Sequence, residues 1–131
     1  MSGKMDKILA EISAGELLDK ITILEIKQVK IKDKEKLAEV DKELFSLNET
    51  LTKSISDQNK IHEFKKDLKN INLKLWDIED GKRSAEKKKK FDEKFIELAR
   101  NVYKFNDERA KIKLAINNAL GSNIKEVKSY E

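Results

Sequence analysis

Apolar residues recur three and four positions apart along four segments of this chain, and this spacing limits its fold more than any other feature. In the second segment they are Leu37, Val40, Leu44, Leu47, Leu51 and Ile55. In the third they are Ile61, Phe64, Leu68, Ile71, Leu75 and Ile78. Residues with this spacing lie on one face of an α-helix, so each segment is predicted to form an amphipathic helix. The chain has no proline and only 4 glycines, which favours long helices and an all-α fold.

Capping residues mark several of the predicted helix ends. Ser13, followed three residues later by Glu16, forms a capping box at the start of the first helix. Asp33 can cap the second helix, and Gly121 suits the position that follows the last turn of the fourth. The third helix is expected to continue past Gly81 as a frayed extension into the lysines that follow. The four helices are predicted at about residues 14–32, 34–55, from 61 to beyond 81, and 92–120.

The length of 131 residues allows one hydrophobic core, so we predict a single domain spanning residues 1–131. Its expected architecture is an antiparallel four-helix bundle with coiled-coil-like helical hairpins, a leader at residues 1–12 and a tail at residues 121–131. The first helix carries Ile23 and Ile26 on the side opposite its main apolar face. Such a helix either lies centrally in the bundle or meets a second copy of the chain, and we predict self-association, with a homodimer favoured.

Polar residues occupy the expected core face of the fourth helix in its second half. They are Asn106, Arg109, Lys113 and Asn117. Burying an unpaired arginine or lysine costs several kcal/mol, so these side chains require carboxylate partners, a bound anion or a cavity open to water. Glu25, on the apolar surface of the first helix, and Glu79, in the third, are the predicted carboxylate partners.

Two interpretations of this polar stripe stay open. A structural hydrogen-bonded network would fix the register of the helices. A pocket for an anionic small molecule would use the cations for charge, the asparagines for directional hydrogen bonds, and Trp76 or Tyr103 as an apolar wall. The leading hypothesis is a non-enzymatic binding or assembly module with such a polar pocket between its helices. The predicted ligand-binding residues are Glu25, Trp76, Glu79, Tyr103, Asn106, Arg109, Lys113 and Asn117.

Paired carboxylates support an enzymatic alternative. Glu16 and Asp19 are three positions apart on the first helix, and Asp77 and Asp80 are three apart on the third. Carboxylates on facing helices can hold Mg²⁺ for phosphate chemistry, as in all-α nucleotide pyrophosphohydrolases. The alternative is therefore a magnesium-dependent nucleotide or phosphate hydrolase. The sequence has no glycine-rich phosphate loop and no Ser/His/Asp or Cys/His set, so the usual nucleophilic catalysis is excluded, and the leading hypothesis requires no cofactor.

Charged residues make up 41% of the chain, and their opposite signs are closely interleaved. The net charge of +4 and the four consecutive lysines at residues 87–90 therefore predict a solvated surface, and nucleic acid is not expected as a partner. The chain has no cysteine, no secretory signal pattern and no apolar run that approaches the length of a membrane span. We predict a cytoplasmic protein without a membrane partner.

Four stretches of the sequence together resemble a small family of bacterial and phage proteins known as a domain of unknown function. The stretches are ISAGELLDKITILEIK at residues 12–27, LWDIED at 75–80, NDERAKIKLAIN at 106–117 and KSY at 128–130. The resemblance implies no established activity. It associates some relatives with glycosyltransferases and cell-surface polysaccharides, which implies, as a further alternative, an accessory protein in glycan or sugar-phosphate metabolism.

Overall fold

The computed structural model describes residues 5–127, which form four α-helices. Helix α1 is Ala14–Lys30, α2 is Lys34–Ser54, α3 is Gln58–Lys88 and α4 is Glu93–Leu120. No strand occurs among these described residues, so the prediction of an all-α fold is confirmed. No helix in this part of the chain is long and apolar enough to cross a membrane. The KSY motif at residues 128–130 and the outermost residues of the leader and the tail lie outside the described residues.

Side-chain caps and left-handed residues fix the helix ends. Asp57 is an unpredicted cap: its carboxylate accepts a hydrogen bond from the N–H of Lys60 at 3.3 Å, so α3 begins earlier than expected. The helix then continues through Gly81 to Lys88 and is capped by Lys89, which adopts a left-handed conformation with φ of 54°. Gly121 ends α4 with φ of 67°, as its predicted position requires.

Helix α1 lies at the centre of the fold. It packs against each of the other three helices, whereas α2, within residues 5–127, packs closely against α1 alone. On the second apolar face of α1, Ile26 is buried with 2% of its surface exposed and Ile23 is partly buried, so the chain itself covers most of this face. The helix contacts are consistent with a bundle. The main core contains Leu17, Leu18, Ile21, Leu24, Val40, Leu44, Leu51, Ile61, Leu68 and Ile116.

Helices α3 and α4 continue as a two-helix arm, which we define as residues 79–102. Helices α3 and α4 contain 31 and 28 residues, against 17 and 21 in α1 and α2, so the shorter pair leaves the arm largely uncovered. No residue of the arm is buried. Contacts between Lys74 and Phe105 and between Gly81 and Leu98 run in opposite directions along the two helices. The first half of α4 belongs to this arm and is therefore partly or fully exposed.

Candidate functional site

The carboxylate of Asp19 lies at the centre of a buried polar network, with 1% of its surface exposed. Its oxygens accept hydrogen bonds from Nε and Nη2 of Arg109, the first at 2.9 Å, and from Nδ2 of Asn72 at 2.9 Å. A buried carboxylate is stable only when it is paired and hydrogen-bonded, and this pairing meets that requirement. The carboxylate partner of Arg109 is therefore Asp19, and the predicted partners Glu25 and Glu79 are wrong.

Asn72 and Thr22 complete the network between α1 and α3. The amide of Asn72 also donates to Oγ1 of Thr22 at 3.0 Å, and this hydroxyl donates to the backbone carbonyl of Asp19 at 2.8 Å. Both hydrogens of the Asn72 amide are thus used inside the protein. Because Arg109 belongs to α4, the network joins three helices through one carboxylate.

Lys113 forms a second group of ion pairs, one turn further along α4. Its Nζ lies 2.8 Å from Oε2 of Glu16, 2.7 Å from Oε2 of Glu126 and 3.9 Å from Oδ2 of Asp19. Burial lowers the pKa of Lys113, but the hydrogen bonds to Glu126 and Glu16 outweigh burial, so its pKa lies above the ordinary value. The hydrogen bond to Asp19 likewise raises the pKa of Arg109 more than burial lowers it. Both side chains are therefore cations at neutral pH.

The first backbone N–H groups of α1 are satisfied by residues from the end of the chain. The N–H of Ala14 donates to Oγ of Ser122 at 3.2 Å, and the N–H of Gly15 donates to Oδ1 of Asn117 at 2.7 Å. Oγ of Ser13 accepts from the third N–H at 3.1 Å, which is the predicted capping bond. A helix N-terminus binds anions through such donors, and here they are already occupied.

Helices α1 and α4 approach each other closely at Gly15. A Cβ atom at this position would lie 2.5 Å from the backbone oxygen of Lys113 and 3.0 Å from Oδ1 of Asn117. Only glycine therefore allows this approach without a shift of one helix. Lys113 and Asn117, two of the four predicted stripe residues, thus serve the packing of α4 on α1, as the network interpretation requires.

The other two stripe residues, Asn106 and Arg109, line a groove of about 420 Å³ between α1, α3 and α4. Nη1 of Arg109 lies 3.5 Å from Oδ1 of Asn106. Lys27 and Arg83 add two cations, and within residues 5–127 neither forms an ion pair with a carboxylate. The complete lining is Ile23, Ile26, Lys27, Asn72, Leu75, Trp76, Glu79, Asp80, Arg83, Asn106 and Arg109.

The structure thus brings together four of the eight predicted ligand-binding residues in one groove: Trp76, Glu79, Asn106 and Arg109. Glu25 lies elsewhere, with its carboxylate 2.7 Å from Nζ of Lys65 and 3.5 Å from Nζ of Lys69. Tyr103 does not line the groove and is 58% exposed, because the arm leaves it without a covering helix. Glu25 and Tyr103 are therefore corrections to the predicted site.

The carboxylates of the magnesium alternative are spread over different surroundings. Glu16 and Asp19 are held by Lys113 and Arg109, whereas Asp77 is exposed and Asp80 lines the groove. Among the described residues, no three His, Cys, Asp or Glu side chains gather in a group that could hold a metal ion. The four carboxylates therefore do not form the predicted metal site.

Lys27, Arg83 and Asn72 were not predicted from the sequence as part of the site. The expected carboxylate partner was Glu25 or Glu79, whereas Arg109 is paired with Asp19. Gly15, Asp19, Thr22 and Ile26 are spaced four, three and four positions apart, so the sequence already places Asp19 on a buried face of α1. Asn72 lies four positions after Leu68, in the seam of α3. These spacings are the signals that could have identified both residues. Lys27 and Arg83 carry no such signal, because they resemble any other surface cation of a highly charged chain.

Comparison with known proteins gives one match. The model of a family described as a family of unknown function, DUF6165, matches residues 8–131. No curated protein and no solved structure matches the chain. The matched range includes the whole polar network and every residue that lines the groove.

Proposed function

We propose that this chain, which belongs to the DUF6165 family of unknown function, is a non-enzymatic binding module whose groove takes a small molecule with an anionic group. The observation that carries the proposal is Arg109, which is held in place by the buried carboxylate of Asp19 at the edge of the groove. Nε and Nη2 of its guanidinium bind Asp19, and Nη1 donates a long hydrogen bond of 3.5 Å to Oδ1 of Asn106. A guanidinium fixed in this way offers its remaining N–H groups at little entropic cost.

The other groove residues narrow the class of ligand. Asp19 balances the charge of Arg109, so Arg109 contributes directed hydrogen bonds, and Lys27 and Arg83 contribute the net attraction for an anion. Two carboxylates, Glu79 and Asp80, share the groove and would repel a purely anionic ligand, but they accept hydrogen bonds from hydroxyl groups. The ligand expected from this combination carries a phosphate or diphosphate group and several hydroxyls.

The apolar wall supports the same class of ligand. Ile23, Ile26, Leu75 and Trp76 form this wall, and an indole ring offers a flat surface for a sugar or a base. The volume of about 420 Å³ lies within the range that small-molecule sites occupy, roughly 300–1,000 Å³. Phosphorylated sugars and sugar nucleotides fit these requirements, and they are also the compounds that the family resemblance implies.

Trp76 makes the proposal directly testable, because it is the only tryptophan in the chain. We expect glucose 1-phosphate or UDP-glucose to change the Trp76 fluorescence in a saturable way, and glucose to have no such effect. Arg83→Gln should raise Kd at least about 10-fold, since a hydrogen bond to a charged group contributes roughly 1.5–3 kcal/mol. Arg100→Gln, which removes the same charge from an exposed position on α4, should leave Kd unchanged. Absence of saturation with either phosphate compound, or equal effects of both variants, would contradict the proposal.

The proposal also includes an oligomeric state, a compartment and a source. Homodimer formation is proposed without an assigned interface, because Ile26 of the α1 face that suggested it is buried within the chain. A light-scattering mass near twice 15.2 kDa would support it, and a monomer mass would end it. The cytoplasm is the compartment that we propose, and a bacterial or phage source is what the resemblance implies. If Mg²⁺ proved necessary for the fluorescence change, the hydrolase alternative would replace the binding module.

A further inference from the structure

The outer end of the two-helix arm contains an excess of positive charge equal to that of the whole chain. We define the arm tip as residues 82–94, which include the last turns of α3, the turn and the start of α4. The tip has seven Lys and Arg residues and three Asp and Glu residues, a net charge of +4. The whole chain also has a net charge of +4, so the rest of the molecule is neutral. Such an asymmetry produces a directed electrostatic attraction that the overall composition conceals.

The side chains of the tip face solvent. Every residue from 84 to 94 is exposed except Ala85, which is partly buried. Two of the three acids are engaged locally: Glu86 pairs with Lys89 at 3.3 Å, and Asp92 caps α4 by accepting from the N–H of Phe95. Within residues 5–127, the other three lysines of the run at 87–90 form no ion pair with a carboxylate. Their charge is therefore available to a partner.

An apolar side chain stands among these lysines. Phe91 lies in the turn and is 51% exposed, and the edge of its ring meets that of Phe95 with the centroids 5.2 Å apart and an interplanar angle of 83°. The contact fixes the direction of one aromatic ring at the apex of the arm. An exposed aromatic residue beside clustered lysines is the combination that binds the interface of an anionic membrane, where charge and apolar contact act together.

We propose that the arm tip docks end-on onto the surface of a lipid bilayer that contains anionic lipids. Arg83 belongs to both the tip and the groove, but the proposal rests on the lysines at 87–90, which do not line the groove. It departs from the expectation of a protein without a membrane partner. The cations are collected at one end of a two-helix arm, so they meet a flat surface more completely than they follow the phosphates along a nucleic acid. The run consists of lysines, which act as point charges and lack the bidentate geometry that reads bases.

Vesicle sedimentation tests the proposal. The full chain should bind phosphatidylcholine vesicles with roughly one third phosphatidylserine at about 0.1 M salt, and should not bind pure phosphatidylcholine vesicles. Each lysine near an anionic surface contributes about fivefold in affinity, so replacing the four lysines at 87–90 by glutamine should weaken binding at least about 100-fold. These four positions are exposed and do not line the groove, so Trp76 fluorescence with UDP-glucose should stay unchanged in this variant.

The matched control removes the same charge from the opposite half of the molecule. Lys53, Lys60, Lys66 and Lys111 are all exposed and lie outside the arm, and their joint replacement by glutamine should weaken binding less than about 10-fold. Phe91→Ala should weaken binding while leaving its dependence on salt unchanged, because it removes only the apolar contact. No binding of the full chain to anionic vesicles, equal losses in both quadruple variants, or tighter binding to duplex DNA than to the vesicles would overturn the proposal. Circular dichroism of each variant excludes unfolding as the cause of a loss.

Discussion

Replacing Gly15 by alanine is expected to force α1 away from α4. The new Cβ would lie 2.5 Å from the backbone oxygen of Lys113 and 3.0 Å from Oδ1 of Asn117. Carbon contacts are favourable at about 3.5–4.0 Å, so a shift of roughly 1 Å is needed. The backbone oxygen cannot move by itself, because it belongs to the interior of a helix. The shift therefore stretches the buried hydrogen bond from the N–H of Gly15 to Asn117, now 2.7 Å.

The expected change in the free energy of unfolding is the sum of two destabilising contributions and one that offsets them. Overpacking at a close contact costs about 1–3 kcal/mol. Leaving a buried donor and acceptor poorly paired costs about 1–3 kcal/mol more. The higher helix propensity of alanine offsets at most about 1 kcal/mol of this loss. We therefore expect Gly15→Ala to lower the free energy of unfolding by about 3 kcal/mol.

Gly81→Ala provides the matched control, since it makes the same chemical change within a helix. Its Cβ would lie 3.0 Å from Cδ1 of Leu98, the far end of a flexible side chain that can rotate away. We expect this variant to be unchanged or to gain up to about 1 kcal/mol. Urea unfolding followed by circular dichroism measures both variants. If Gly15→Ala is as stable as Gly81→Ala, the close approach of α1 and α4 does not constrain the fold as argued.

Three further variants test the polar network. Asp19→Leu should destabilise the protein by about 3–5 kcal/mol because it leaves Arg109 without its buried partner, and adding Arg109→Met should restore most of this loss; a double-mutant cycle by urea unfolding that shows simple additivity would contradict the pairing. The pKa of Lys113 is raised above its ordinary value of 10.5, so its ion pairs contribute fully below about pH 10 and lose their contribution as the pH rises through the folded-state pKa. The difference in unfolding free energy between the wild type and Lys113→Met should therefore shrink at alkaline pH, and a difference that stays constant in urea titrations from about pH 9 to pH 12 would refute this. Ser122→Ala removes the acceptor for the N–H of Ala14 and should cost about 1 kcal/mol in the same assay, whereas no change would indicate that water replaces the hydroxyl.

Local sequence patterns predicted most of the fold because they act within a few residues. The capping bond at Ser13 and the left-handed Gly121 both depend on neighbours in the chain, and both are found. Asp57 shows the limit of this reasoning, since its capping role was hidden in a polar stretch that reads equally well as a turn. The existence of the four helices and most of their ends could therefore be predicted from the sequence, with errors of a few residues.

The pairs of side chains within the site were harder to predict from the sequence, because they depend on how one helix is rotated against another. Arg109 was recognised as a cation that needs a carboxylate, but α1 is apolar on two sides, and its rotation decides whether Asp19 or Glu25 faces α4. Tyr103 was misplaced for a different reason. Helical spacing gives a direction for each side chain, but it does not say where a neighbouring helix ends, and α1 and α2 end before they cover the arm.

The hydrogen bonds at the start of α1 have a consequence for how the protein folds during synthesis. The acceptors for Ala14 and Gly15 lie 108 and 102 positions further along the chain, so they leave the ribosome long after α1 itself. Until then, water can hydrate the N–H groups of Ala14 and Gly15, but their native hydrogen bonds cannot form. Long-range contacts of this kind form slowly. The nascent chain therefore completes the first turn of α1 only after Asn117 and Ser122 have left the ribosome.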